Sequence, residues 1–364
     1  MSRQYSSATA CGFASCRRFL SCVALFATLA RVVLSTPAVA QTAPANTWFV
    51  TIVLPPKLLA GKPATLSVFG ADGRLAPNVT IGLSNGQNVK TDATGRAFFI
   101  VPTGPSVFFA DGSGASAVAL VDEAASSSEK TSDHMLTVAP VISLRDRFTI
   151  CGADFRGDAE GNRVTMNGDR SLVVAASPEC LVVLPSPRAI PGAAKLVIDS
   201  SGAQQSKTTT LVALQFEAPQ PAPTPGQRSE LTVHVEGSDA PLDLSVQNET
   251  PGVLEFVKGN TQQVRTSGGS RNIAQVEVGA IRSGDYSFSA KLVPAPDIPV
   301  ADRYLRAATP LAPKPLQHRV NAAADRLTSH PKDRDKVKQD IAKMISTTIQ
   351  GHFRALLEAA HAAI

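Results

Sequence analysis

The sequence predicts a mainly β protein, tandem Ig-like β-sandwiches followed by a C-terminal helical hairpin. Three observations carry that prediction. Short runs rich in Val, Ile, Phe and Thr recur from Trp48 onward, each bounded by Pro, Gly, Asn or Asp, as strands joined by tight turns require. Near Pro296 the apolar period changes from two to 3.6. The 25 Gly and 26 Pro residues are spread along all 364 positions instead of forming one low-complexity block.

The first stretch, 1–40, reads as a signal peptide. Arg17 and Arg18 precede the apolar run "FLSCVALFATLARVVL", and Ala38 and Ala40 supply the small-residue spacing that signal peptidase needs, with cleavage expected before Gln41. The run falls short of the ~20 apolar residues of a spanning helix and is broken by Arg31. Cys22 lies inside the run and not at the cleavage point, which argues against a lipid anchor. The mature chain is therefore expected in the periplasm or outside the cell.

Cleavage removes Cys11, Cys16 and Cys22 and leaves Cys151 and Cys180, an even pair in an oxidising compartment. A disulfide is the expectation. It would close a loop of about 30 residues, worth about 3 kcal/mol on the chain-entropy model. No base or reducing route beside "SPECLVV" supports a catalytic thiol. Positive and negative residues, 35 and 30, are interspersed, which speaks against nucleic acid as a partner.

Residues 41–137 form the first expected sandwich, with strands such as "ATLSVF", "VTIGL" and "RAFFIV". Leu66 and Phe69 cannot both obey strict alternation, so "TLSVF" is a bulged or two-sided strand. Asp72-Gly73 and Asn85-Gly86 tolerate positive φ and mark turns. The segment with Asp72-Gly73, Val79-Thr80-Ile81 and Thr91 to Ala97 resembles the Ig-like repeats of invasin and intimin, and also the carboxypeptidase regulatory-like β-module. Both resemblances imply a β-sandwich and leave function open. The polar stretch "DEAASSSEKTSDH" then reads as a boundary.

Residues 138–214 are expected to form the second sandwich. Pro140 with Ile142, Gly152 with Phe155, Asn162 with Val164, "CLVVLP" and Pro191-Gly192 before "KLVI" follow in order. This segment resembles the IPT/TIG family of Ig-like modules. In "FTICGADF", Phe148 and Ile150 share one face, Cys151 takes the other, and Gly152 lets the strand bend out of its sheet. In an IPT-like sandwich the strand begun by Cys180 would run close to this one, so a cross-strand bridge is what the resemblance implies.

The proline-bearing "EAPQPAPTPGQ" reads as a semi-rigid spacer, and residues 215–296 as a third Ig-like sandwich. In "SELTVHVEG" Leu231, Val233 and Val235 alternate with Thr232, His234 and Glu236. Residues 297–364 are expected to form two antiparallel helices. One stripe is Leu316, Val320, Ala323, Ala324 and Leu327, and the other runs from Val337 through Ile341, Met344 and Phe353 to Leu357. "SHPKD" with Pro331 separates them. Two helices alone cannot cover that surface, which leaves the third sandwich, a second copy or a partner surface; a homodimer through the tail is the expectation carried forward.

Catalytic constellations are missing: no G-x-S-x-G, H-E-x-x-H or phosphate-binding glycine loop occurs. No catalysis, cofactor or metal is expected. His234 with Glu236 offers two metal ligands without a third. Asp158, Glu160, Asn162 and Asp169 hint at a calcium loop, but Arg163 stands where the loop needs Gly and its twelfth position is not Glu. Arg156-Gly157-Asp158 spells the integrin-binding tripeptide on an expected exposed loop, where the plain alternative is a polar turn. Asn78-Val79-Thr80 and Asn248-Glu249-Thr250 match glycosylation acceptors. What remains is function through surfaces and spacing: binding, adhesion or scaffolding of a protein or glycan partner at the cell envelope, or a carbohydrate-binding or regulatory accessory role to an exported enzyme.

Overall fold

The computed structural model describes residues 50–123, 136–219, 223–257, 259–349 and 351–364. The expected signal peptide, Trp48, nearly all of the first expected linker and residues 220–222 of the second lie outside them. The described chain is mainly β: three Ig-like sandwiches followed by C-terminal helices.

In the first sandwich, strands Lys57–Leu59, Ala115–Asp122, Val107–Gly112, Thr80–Leu83 and Asn88–Lys90 form one sheet in that order. Strands Thr51–Val53, Pro63–Phe69 and Arg96–Ile100 form the other face, and Leu58, Leu66, Ile81, Phe99 and Phe108 fill the space between. Phe99 and Phe108 stack with centroids 5.0 Å apart. Pro63–Phe69 is buried on both faces. Ala64, Leu66 and Val68 enter the first core, while Phe69 joins Val53, Val174, Ala175 and Val182 in a cluster shared with the second sandwich. The broken alternation at Leu66 and Phe69 is thus a two-sided strand.

The second core is built on Ile150, Met166, Leu181, Leu196, Ile198 and Leu211. Cys151 and Cys180 are bonded, and they face each other in the antiparallel pairing of Phe148–Cys151 with Cys180–Leu184. Gly152 N donates to Glu179 O at 2.9 Å, one step beyond the pair. The cysteines therefore occupy a non-hydrogen-bonded position, where strands approach most closely, and their Cα atoms are 4.1 Å apart.

Strand Ala203–Glu217 passes from the second core into the third. It pairs with Gly192–Ser200 through residues 203–211 and with Arg228–Glu236 through 213–217. Leu211 is buried in the second core, and Val212 and Leu214 in the third. The boundary expected after residue 214 falls inside this strand, because an unbroken ladder serves both neighbours. Leu231, Val233 and Val235 point into the third core as the alternation required.

The tail holds four helices instead of a two-helix hairpin: α1 (Ile298–Ala308), α2 (Lys314–Ser329), α3 (Arg334–Thr347) and α4 (His352–Ala363). Asp297 caps α1 by accepting from Val300 N at 3.1 Å, and Pro299 suits the first turn. The long second stripe breaks between α3 and α4. Thr347 and Thr348 turn their hydroxyls back onto Lys343 O and Met344 O, and Gly351 takes φ 141°.

The apolar stripe is covered within the chain. Leu305, Val320, Leu327, Val337, Ile341, Met344, Leu356 and Leu357 share a core with Phe109 and Leu120 of the first sandwich. The helices thus pack on the first sandwich and not the third, and the bare surface that motivated a homodimer is gone.

Candidate functional site: the groove between the first sandwich and the helices

α1 is pinned to strand Ala115–Asp122 and α4 to strand Val107–Gly112, each by a polar contact. Arg303 Nη2 lies 2.7 Å from Asp122 Oδ1 and donates to Val121 O at 3.2 Å. His352 Nε2 lies 2.7 Å from Asp111 Oδ2, and its ring stacks on Phe109 with centroids 3.9 Å apart. Between these pins the surfaces do not close, and a groove of about 920 Å³ remains.

Val107, Phe109 and Leu120 give the groove an apolar wall, Ala307, Pro310 and Leu311 face them from the helical side, and Pro102 and Pro105 stand at the loop end. Polar groups are few: Asn85, Asp302, Arg303, Arg306 and His352 among them. Arg306 bonds Asp325 at 2.8 Å, and that bond, ahead of the charge of Asp302, holds its guanidinium above the usual value. Asp302 Oδ1 is buried and ion-paired with Arg306 Nε at 3.3 Å, so this carboxylate is held by its own helix.

Such a site can hold a ligand with an apolar body. Its volume is in the range of small-molecule and peptide clefts.

The candidates singled out in the sequence lie elsewhere. His234 pairs with Glu217 at 2.7 Å, and Glu236 accepts from Gln215 at 3.3 Å. Among the described residues no group of three His, Cys, Asp or Glu side chains is placed to hold a metal. The hinted calcium loop is not assembled. Asn162 is buried and spends its amide on Arg156 O and Asp158 O and its oxygen on Arg156 N and Ser200 Oγ. Asp169 begins the strand beyond the Asn167-Gly168 turn, opposite Met166.

The Arg156-Gly157-Asp158 loop is not freely exposed. Gly157 is buried, and its carbonyl accepts from Thr65 Oγ1 at 2.7 Å. A Cβ there would meet Pro63 O at 2.0 Å, so the loop is docked on the first sandwich. Asn78 is exposed with φ 63°. Asn248 is buried and donates to Leu254 O at 2.6 Å, which occupies the nitrogen a glycan would need. Phe109, Asp302 and His352 carried no local signal, since the groove unites residues from 84 to 352.

No family model and no curated protein matches this chain. Among solved structures it is similar to the I9–I11 tandem of titin, at 11% identity, over 67% of this chain and 95% of that one, with a TM-score of 0.20. It is also similar to SGBP-B of the Bacteroides ovatus mixed-linkage glucan utilization locus, in complex with a mixed-linkage heptasaccharide, at 11% identity, 66% of each chain and TM-score 0.23. SGBP-B from a complex xyloglucan utilization locus in Bacteroides uniformis gives 10%, 67% of this chain, 96% of that chain and 0.22. At these scores the likenesses have no bearing on function.

Proposed function

We propose that this chain is an exported, non-catalytic Ig-like protein that binds or scaffolds a partner at the cell envelope, and that the groove between the first sandwich and the helices is where the partner sits. The observation that supports this reading is the groove itself: two walls pinned at Arg303–Asp122 and His352–Asp111, with an apolar lining between them. Export rests on the signal-like segment 1–40 and on the disulfide, which belongs to oxidising compartments. Among the described residues no helix is long and apolar enough to cross a membrane. In this reading the domains are 41–137, an IPT/TIG-like 138–214, 215–296 and the helical 297–364, with strand Ala203–Glu217 shared by the second and third.

The test is capture from an envelope fraction with the mature chain and with Leu311→Asp, which places a charge at a half-exposed groove position outside the shared core. A partner retained by the parent and lost by the variant supports the site. Identical capture by both sinks it.

The second reading is a carbohydrate-binding or regulatory accessory subunit. Planar hydrogen-bonding groups, Asn85, Asp302 and Arg303, beside the stacked Phe109–His352 pair favour it. Retention on immobilised glycans that is lost in Leu311→Asp would move the assignment there.

A further inference from the structure

The joint between the first and second sandwiches is gripped by two short stretches of the second, and both start at the disulfide. Six residues after Cys151, the Gly157 carbonyl receives the Thr65 hydroxyl at 2.7 Å. Three residues before Cys180, the Ser177 hydroxyl donates to Lys57 O at 2.6 Å, and Ala176 is the register partner of Thr65. The Ser177–Cys180 turn is closed on itself, with Ser177 N to Cys180 O at 2.9 Å and Cys180 N to Ser177 Oγ at 3.0 Å. The register of the two cysteine strands ends at the Cys151–Cys180 pair, and beyond it Gly152 N donates to Glu179 O at 2.9 Å and Phe155 N to Pro178 O at 3.2 Å. The bond is thus the covalent tie at the base of the two gripping stretches, which beyond it are joined by backbone hydrogen bonds alone.

We propose that the Cys151–Cys180 disulfide is a redox-sensitive latch on this joint: its reduction by a dithiol loosens the hold on strand Pro63–Phe69 and leaves the sandwich cores folded. Cys151 is partly exposed and Cys180 is fully buried, so the sulfur of Cys151 is the one a reductant reaches. A thiolate of the dithiol attacks that sulfur and forms a mixed disulfide. Cys180 leaves as a thiolate and takes a proton. The second thiol of the reductant then attacks its own sulfur in the mixed disulfide, closes the reductant's disulfide and releases Cys151 as a thiol. Two electrons pass from the dithiol to the two cysteines.

Two features confine the effect to the joint. Cys151 is also held from the other side, opposite Thr137, so its strand keeps a neighbour when the bond opens. The second core, with Ile150, Leu181 and Leu196, is built from side chains other than the two cysteines. The gripping stretches lose their shared covalent root and open locally at the joint.

Hydrogen exchange of the full chain before and after dithiothreitol, with a thiol count, tests the latch. The expected result is two free thiols and exchange at least about tenfold faster in 57–67 and 152–157, with strands Arg228–Glu236 and Ile273–Ala280 unchanged. The double variant Cys151→Ser, Cys180→Ser should show the fast pattern with or without dithiothreitol. Thr65→Val, which keeps the bond and removes one grip, should speed exchange at the joint with no free thiol. The proposal is overturned by unchanged exchange at the joint once both thiols are free, or by an inert Thr65→Val. Equal acceleration in strands Asn162–Met166 and Gly192–Ser200 also overturns it, since the bond would then be a staple of the whole sandwich.

Discussion

His352 lies flat on Phe109, with centroids 3.9 Å apart, and reaches Asp111 at 2.7 Å. The contact joins the first turn of α4 to a strand 241 residues earlier. A stacked ring pair contributes about 0.5–1.5 kcal/mol and a half-exposed side-chain hydrogen bond about 0.5–1 kcal/mol. His352→Ala should therefore lower stability by about 1–2 kcal/mol, read by urea denaturation. Wild-type stability in the variant would show that the docking rests on the apolar core alone.

Gly157 and Gly73 make opposite demands. At Gly157 an added Cβ would stand 2.0 Å from Pro63 O, whereas at Gly73 nothing lies within 4 Å but φ is +73°. Gly157→Ala must push the joint apart and should cost about 1–3 kcal/mol, while Gly73→Ala meets only backbone strain of about 1 kcal/mol. Exchange at the joint should accelerate in the first variant alone. Equal behaviour of the two would show that the loop can yield.

Local patterns were legible and long-range contacts were not. The alternation at Leu231, Val233 and Val235, the faces of Phe148, Ile150 and Cys151, and the stripe of α2 follow from periods that a few residues reveal. The cap of α1 was also present in Asp297 and Pro299, but the helical stripe was read only from Leu316 onward. The docking of Gly157 on a strand 92 residues away from it in sequence, at Thr65, leaves no periodic trace. The same holds for the groove: Asn85 and His352 become neighbours only after the helices fold back on the first sandwich.

The end of α4 should sense pH. Burial first, and the charge of Lys338 second, lower the His361 pKa from 6.5 in the folded state. The unfolded chain then binds the proton more readily. Stability from this group is complete above 6.5 and is lost as pH falls from 6.5 through the lowered folded value. Denaturation midpoints between pH about 8 and about 5 should fall more steeply for the parent than for His361→Gln. Parallel curves would remove His361 as the cause.

The oligomeric state follows from what covers the helices. Val337, Ile341, Met344, Leu356 and Leu357 are buried against one another and against Phe109 and Leu120, so no long apolar stripe is left to recruit a second copy. Light scattering behind a sizing column should therefore report a monomer at micromolar concentration, and a dimer that survives dilution would restore the tail as an association surface. The same packing makes truncation after Pro296 costly. Removing the helices uncovers Phe109 and Leu120, with Val107 and Val118 beside them. Burial of each large side chain contributes about 1.5–3 kcal/mol, so the shortened chain should be less stable by several kcal/mol in its first sandwich. It should also self-associate through the uncovered strands Val107–Gly112 and Ala115–Asp122. A truncated chain that stays monomeric with an unshifted first unfolding transition would show that the first sandwich is complete without its helices.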